Sequence, residues 1–236
     1  MYNTHVFLKN DMLEFRDISP VIPALRLLKD MKALFMDPSM DDDDEMLYAM
    51  YRNVVLPEHK GLFERMHLRH DITVIPVKFI GMEYVKTFGH YHPNGFPEIY
   101  EVLEGECCFL LQKRGPDGSI KDFIVIRAKK GNVIVIPPGY GHVTVNHYGK
   151  TLVMANIVSD KFDSDYLPYI ELKGAAYYHT TGGFIRNPAY KSVPEIRFLQ
   201  PNGSVFGNIY ESFVKNPEKF AFLSEPEKAL EEFMNL

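Results

Sequence analysis

Residues 89–100 read GHYHPNGFPEIY and residues 137–146 read PPGYGHVTVN, and these two stretches decide the fold. They carry four side chains of the metal-binding kind: His90, His92, Glu98 and His142. Side chains alternate along a strand, so His90 and His92 point the same way, about 6.5 Å apart along the rise. One ion fits between them. Imidazoles with a carboxylate suit Fe(II), Mn(II), Ni(II) or Zn(II), and four protein ligands leave one or two positions for substrate. A bare His-x-His pair reads more simply as two surface histidines, so the surrounding frame decides.

Glu98 is followed by six residues and then Gly105. Gly131 is followed by five residues, then Pro137, Gly139, His142 and Asn146 at fixed intervals. These spacings resemble the two signatures of the cupin superfamily, which implies an all-β jelly-roll barrel. The glycines and prolines have mechanical roles: Gly131 turns the chain between strands, and Pro137-Pro138-Gly139 ends a buried strand in a stiff turn that presents His142 inward.

The remainder of the chain agrees. With 236 residues, 46% hydrophobic and 24% charged, it can bury a sizeable core, and one domain is expected. A formal net charge of −5 gives no basis for nucleic-acid binding. Cys107 and Cys108 are adjacent, face opposite sides of a strand and read as reduced packing residues. No apolar run suits a signal peptide or the ~20-residue membrane span, so a cytoplasmic, membrane-free protein is expected.

Three regions follow one another. Residues 1–70 read as a mixed, partly helical extension packing on the barrel, with helices expected over 20–35 (PVIPALRLLKDMKALF) and 46–55 (MLYAMYRNVV). Asp41 to Asp44 lack the ligand spacing of an EF-hand and read as a solvated helix N-terminus. Residues 71–157 form the cupin core: short runs rich in Val, Ile, Tyr and Phe, with hairpin turns at GPDGS and AKKGN. Residues 158–236 are an aromatic-rich closing segment ending in a helix over 225–235, with Ser224 and Glu227 as a capping box. His67 and His70 are expected in surface or packing roles, and His147 should face away from His142. Tyr177, Tyr178 and His179 are expected at the pocket mouth or a dimer contact.

The lead-in to the quartet narrows the resemblance. From Thr73 the chain carries Gly81, Glu83, Thr87, Gly89, His90, His92, Glu98 and Tyr100, then the Pro137 to Asn146 run. Over about residues 73–146 this resembles the archaeal-type, cupin-fold glucose-6-phosphate isomerase family, whose motif runs through a threonine, GxE, TxGHxH and ExY, then PP, GH and N. Two departures stand out. Pro76 comes one residue early after Thr73, and five residues separate His92 from Glu98 where the family has six or more.

The resemblance implies reversible conversion of glucose 6-phosphate to fructose 6-phosphate in glycolysis and gluconeogenesis. It implies one divalent ion per subunit, Fe2+ first with Mn2+, Ni2+ or Zn2+ as alternatives, held by His90, His92, Glu98 and His142. It places Thr73, Thr87, Gly89 and Tyr48 around the sugar phosphate, with Ser164 where shorter relatives hold phosphate through a histidine. It also implies a homodimer.

Aldose–ketose isomerisation moves a hydrogen between C1 and C2, and a metal-stabilised enediolate accounts for it. Glu98 is the candidate base, and Tyr100, two residues on, holds the transferring oxygen or orients Glu98. A hydride shift is the alternative, and mannose 6-phosphate is a second substrate to consider. Two other functions use the same ligands: a cupin Fe(II) dioxygenase, and a non-catalytic sugar-phosphate-binding cupin. The hydroxyl and glycine positions before His90 favour the isomerase.

Overall fold

Short runs of β-branched and aromatic residues, each closed by a turn, form sixteen strands among the described residues of the computed structural model, which are 1–39, 43–201 and 207–228. In chain order they are β1 (Val6–Lys9), β2 (Met12–Phe15), β3 (Ala24–Leu27), β4 (Met46–Tyr51), β5 (Leu68–Ile75), β6 (Phe79–Ile80), β7 (Glu83–Tyr84) and β8 (Glu98–Glu104). There follow β9 (Glu106–Arg114), β10 (Ile120–Lys129), β11 (Val133–Ile136), β12 (Tyr140–Val145), β13 (Leu152–Ser159), β14 (Tyr177–Thr180), β15 (Gly183–Arg186) and β16 (Arg197–Leu199). The helices are short: α1 (Leu28–Met31), α2 (Lys60–Arg65), α3 (Leu167–Glu171) and α4 (Ile209–Lys215).

Two sheets face each other, the all-β layering expected of a jelly roll. One has six strands in the order β11-β8-β13-β5-β4-β3, and the other has four in the order β12-β9-β10-β16. Between them Tyr100, Val102 and Met154 from the larger sheet meet Phe109, Leu111 and Ile126 from the smaller. The outer face of the larger sheet is covered too, with Ile72, Ile99 and Ile157 in one cluster with Phe213 of α4. Burial on both faces explains why β13 is buried at all eight positions and why such strands read as continuous apolar runs. Gly105 turns β8 into β9 at φ +83, and a Cβ there would come within 2.9 Å of the Thr151 carbonyl oxygen.

Four expectations are corrected. The stretch 20–35 contains β3 and the single turn α1 rather than one helix. The stretch 46–55 opens with β4, which pairs with β3 and β5. The apolar spacing of MLYAMY fits a helix only because both faces of this strand are apolar: Ala49 and Tyr51 point to the outer cluster, Tyr48 to the core between the sheets. The N-terminal region therefore completes the larger sheet. Asp43 and Asp44 precede that strand and pair with Lys32 and Lys29 on the surface; Asp41 and Asp42 lie outside the described residues. Ser224 does not cap a following turn: its hydroxyl donates back to the Ala221 carbonyl. The described helical residues there are Pro226–Lys228, and the rest of that expected helix lies outside the described residues.

The two cysteines are free and fully buried, Cys107 between the sheets and Cys108 on the opposite face.

Candidate functional site

The loop between β7 and β8 crosses the end of β12, so that His90 and His142 exchange backbone hydrogen bonds (3.3 and 3.1 Å). Their rings lie 4.5 Å apart. The His92 Nδ1–H donates to the Phe96 carbonyl at 3.0 Å, which leaves Nε2 as a lone pair directed at the site. That lone pair faces the Nε2 of His90 at 3.1 Å. Glu98 opens β8 and brings Oε2 to 3.3 Å from His142 Nε2 and 3.4 Å from His92 Nε2. The four ligand atoms all lie within 4.8 Å of one another, and the shortened interval between His92 and Glu98 does not keep Glu98 from the cluster.

The residues fit a divalent ion. Glu98 Oε2 is buried with no hydrogen-bond partner among the described residues, an arrangement that costs free energy until a cation sits at the centre of the imidazoles around it. Burial, with repulsion from the neighbouring imidazoles, holds His90 well below the usual range, and burial lowers His92 to about 4 against the pull of Glu98. Both therefore stay neutral and able to ligate. Burial disfavours the Glu98 carboxylate, but the close approach of His142 and the charges of His142 and His92 outweigh it and keep Glu98 below its ordinary value. Burial, then Glu98, raises the Tyr100 hydroxyl well above its ordinary range. That hydroxyl lies 3.1 Å from His142 Nε2.

A pocket runs from this cluster along the inner face of the larger sheet, and Tyr48, Thr73, Thr87 and Gly89 all line it. Thr87 Oγ1 accepts the Thr144 N–H at 2.9 Å, and Tyr48 accepts the Phe88 N–H at 3.2 Å, leaving both hydroxyl protons to donate elsewhere. Gly89 has φ +84, and its N–H finds no backbone acceptor among the described residues. A Cβ at that position would stand 2.6 Å from Val143 and 2.7 Å from the Tyr169 ring, so close packing behind the loop demands glycine. Ser164 also lines the pocket, on a segment tied down by paired backbone bonds between Tyr91 and Asp165.

Several residues of the site were not legible as such. Asn156 of β13 donates to Glu98 Oε1 at 2.7 Å; one amide within the apolar run LVMANIVS was its signal. Phe162 lies against the His92 ring at 4.6 Å and Tyr166 against the His90 ring at 5.3 Å, so the closing segment roofs the cluster. Arg52 and Arg69 also line the pocket.

Other readings are redistributed. Glu83 of the lead-in does not line the pocket: fully buried, it pairs with Lys86 and accepts the Met36 N–H at 2.9 Å, while Lys86 donates to the Leu34 carbonyl at 2.9 Å. This pair fastens the β7 strand to the N-terminal segment. Tyr177, Tyr178 and His179 lie away from the pocket; Tyr178 covers Lys86, and His179 stacks on Phe184 at 4.3 Å. His147 packs beside His179, on the side away from His142. His70 is buried against Tyr210, whereas His67 is exposed beside Asp160.

This chain is similar to known proteins. A family model described as glucose-6-phosphate isomerase matches residues 25–195. The glucose-6-phosphate isomerase of Thermococcus gammatolerans is 31% identical over 155 residues, 62% of this chain and 76% of that one. That of Thermococcus onnurineus is 28% identical over 184 residues, 73% and 92% of the two chains. Among solved structures, an oxalate oxidase in complex with the substrate analogue glycolate aligns with 53% of this chain and 58% of its own, at 16% identity and a TM-score of 0.41. Among the described residues, no helix is long and apolar enough to cross a membrane.

Proposed function

The chain belongs to the glucose-6-phosphate isomerase family, and from that premise we propose that it interconverts glucose 6-phosphate and fructose 6-phosphate in the pocket between the two sheets. The observation that carries the assignment of roles is the polarity of that pocket. Four convergent ligands, His90, His92, Glu98 and His142, stand at one end, and the free donors of Tyr48, Thr73, Thr87 and Gly89 line the wall leading away from them.

When bound, a divalent ion supplies Lewis-acid polarisation of the carbonyl and of the charge that spreads over O1 and O2. The hydroxyls and the Gly89 amide hold the phosphate, fixing the sugar at its far end so that C1 and C2 lie at the ligands. Glu98 takes the proton from C2 and returns it to C1, while the O2 proton passes to O1; no atom is lost. Asn156 holds Oε1, so Oε2 is the oxygen that serves both the ion and the substrate proton. Tyr100, on the same strand face as Glu98, donates to the oxygen whose proton is moving. Phe162 and Tyr166 exclude water from above.

Iron is our preferred ion, because three imidazoles with one carboxylate and open positions suit Fe(II). A cytoplasmic role in glycolysis and gluconeogenesis follows from the substrate pair. For a homodimer, the support is β3: it ends the larger sheet and exposes Leu25, with Ile22 beside it. The dioxygenase reading gives way to family membership.

The test is a coupled isomerase assay before chelation, after chelation and after readdition of each metal, together with Glu98→Gln. Activity lost with chelation, restored by metal and reduced by 100-fold or more in Glu98→Gln, on the scale of a lost general base, supports the reading. Full turnover after metal removal overturns the metal-dependent mechanism, and binding without turnover makes the protein a sensor. Turnover in deuterated solvent with no label at C1 or C2 replaces proton transfer by a hydride shift.

A further inference from the structure

Arg69, Asp71 and Thr73 alternate along β5 and so share one face; Tyr48 and Met50 do the same on β4, and Arg52, one residue beyond the end of that strand, lines the same pocket. Asp71 is 1% exposed and takes three donors: Arg52 Nη1 at 2.6 Å, Arg69 Nε at 2.9 Å and the Asn53 N–H at 3.0 Å. One buried carboxylate thus holds two guanidiniums whose side chains remain 43% and 25% exposed. The trio keeps a net positive charge. It also keeps donors in reserve: among the described residues the terminal nitrogens of Arg69 have no hydrogen-bonded partner, and Arg52 Nη2 meets only the Met50 sulfur at 3.5 Å. The second arginine and the unused donors leave this trio able to take an anion in place of water.

The strand register says where that anion lies. Val158 of β13 stands opposite both Arg69 and Glu98. Arg69 is therefore level with the metal-ligating carboxylate, two strand spacings or roughly 10 Å away across the sheet. Thr73 lies further along β5, toward the proposed phosphate end. Arg52 and Arg69 line the same pocket as His90, His92 and Glu98. The guanidiniums thus flank the reacting end of the substrate.

We propose that Arg52 and Arg69, joined through Asp71, form a second anion-recognising element at the C1–C2 end of the pocket. It receives the negative charge that the sugar develops on its first two oxygens, and it favours phosphorylated sugar acids that present a carboxylate there. The inference rests on the isomerase reading above, which places C1 and C2 at the metal ligands.

The test is calorimetric titration of the metal-loaded protein with 6-phosphogluconate and with glucitol 6-phosphate. The two ligands share the phosphate and the carbon chain and differ at C1, a carboxylate against a hydroxymethyl group. Metal contacts of that carboxylate are common to every variant, so the ratio of the two affinities isolates the arginines. In Arg69→Gln and in Arg52→Gln the preference for the carboxylate ligand falls about 10-fold or more, the scale of one charge-assisted hydrogen bond. The polyol affinity stays within about 3-fold, and Arg69→Lys recovers part of the preference because the charge remains. Equal weakening of both ligands, or an unchanged ratio, overturns the proposal and leaves the trio a structural brace. If Arg69→Gln does not fold, Arg52→Gln and Arg69→Lys decide. Wild-type protein that binds neither ligand overturns the isomerase reading, and the inference with it.

Discussion

Asn156 is the sharpest point at which to probe the site, because it touches the one ligand proposed for two roles. Its amide donates 2.7 Å to Glu98 Oε1, and at 4% exposure no water replaces it cheaply. Asn156→Ala leaves Oε1 without a donor in a buried place, a loss of about 1–3 kcal/mol. For a chain of this length each kcal/mol moves the midpoint by about 2–4 °C, so the metal-free protein should melt roughly 2–12 °C lower. The metal responds on a similar scale, since removing the partner that orients a ligand commonly weakens binding 10- to 100-fold. Titration with Mn(II) or Zn(II), followed by calorimetry, measures that change directly. At saturating metal the affinity defect is bypassed, and kcat then reports whether Glu98 still faces C2. A persistent kcat deficit with KM little changed marks Glu98 as the base, whereas full recovery restricts it to ligation. Metal affinity within twofold of wild type would refute the reasoning, because β8 alone would then be fixing the carboxylate.

Three further outcomes follow from the same geometry. Gly89→Ala meets Val143 and the Tyr169 ring at 2.6–2.7 Å with the backbone at φ +84. It should lose about 2–5 kcal/mol and raise KM more than it lowers kcat, since the displaced amide serves phosphate; a thermal melt and steady-state kinetics check both. Glu83→Gln strips the buried Lys86 of its partner and should lower stability by about 3–5 kcal/mol. At a temperature where both proteins are folded kcat should not change, and a kcat loss there would return Glu83 to the substrate machinery. Burial lowers His70 to about 4 from 6.5, so the unfolded chain takes up its proton first. Its contribution is complete above pH 6.5 and falls by about 1.4 kcal/mol per pH unit as the pH drops toward 4. Denaturant melts of wild type and His70→Asn at pH 7, 6 and 5 should converge as the pH falls, and parallel slopes would exclude His70 as the source.

The metal quartet was legible because its geometry is nearly local. His90 and His92 stand two residues apart, and the frame glycines and prolines hold Glu98 and His142 at set intervals from the turns that aim them. The strands of residues 71–157 were legible for a similar reason, since each is bounded by a turn whose residues have few other uses. By contrast, both N-terminal helix readings failed at strands that join the larger sheet: β3 at its partly exposed edge, and β4, which carries apolar residues on both faces. There the alternation that marks a strand disappears, and apolar spacing no longer distinguishes 3.6 from 2.0 residues per repeat.

That error had a functional consequence. On a helix, Met50 points away from Tyr48 and Arg52; on β4 Tyr48 and Met50 share one face, and Arg52 just beyond the strand joins them along the pocket. The Arg52–Asp71–Arg69 trio is likewise a product of register, since two strands far apart in sequence must pair before one carboxylate can hold two guanidiniums. Glu98 joins it only across a third strand, β13. Motifs therefore report the chemistry that short segments can assemble, here the metal ligands and the donors beside them. The charge environment that tunes those ligands is built across strands. Two members of this family with identical motifs can therefore differ at positions 52, 69 and 71, and with them in how strongly they hold an anion at C1.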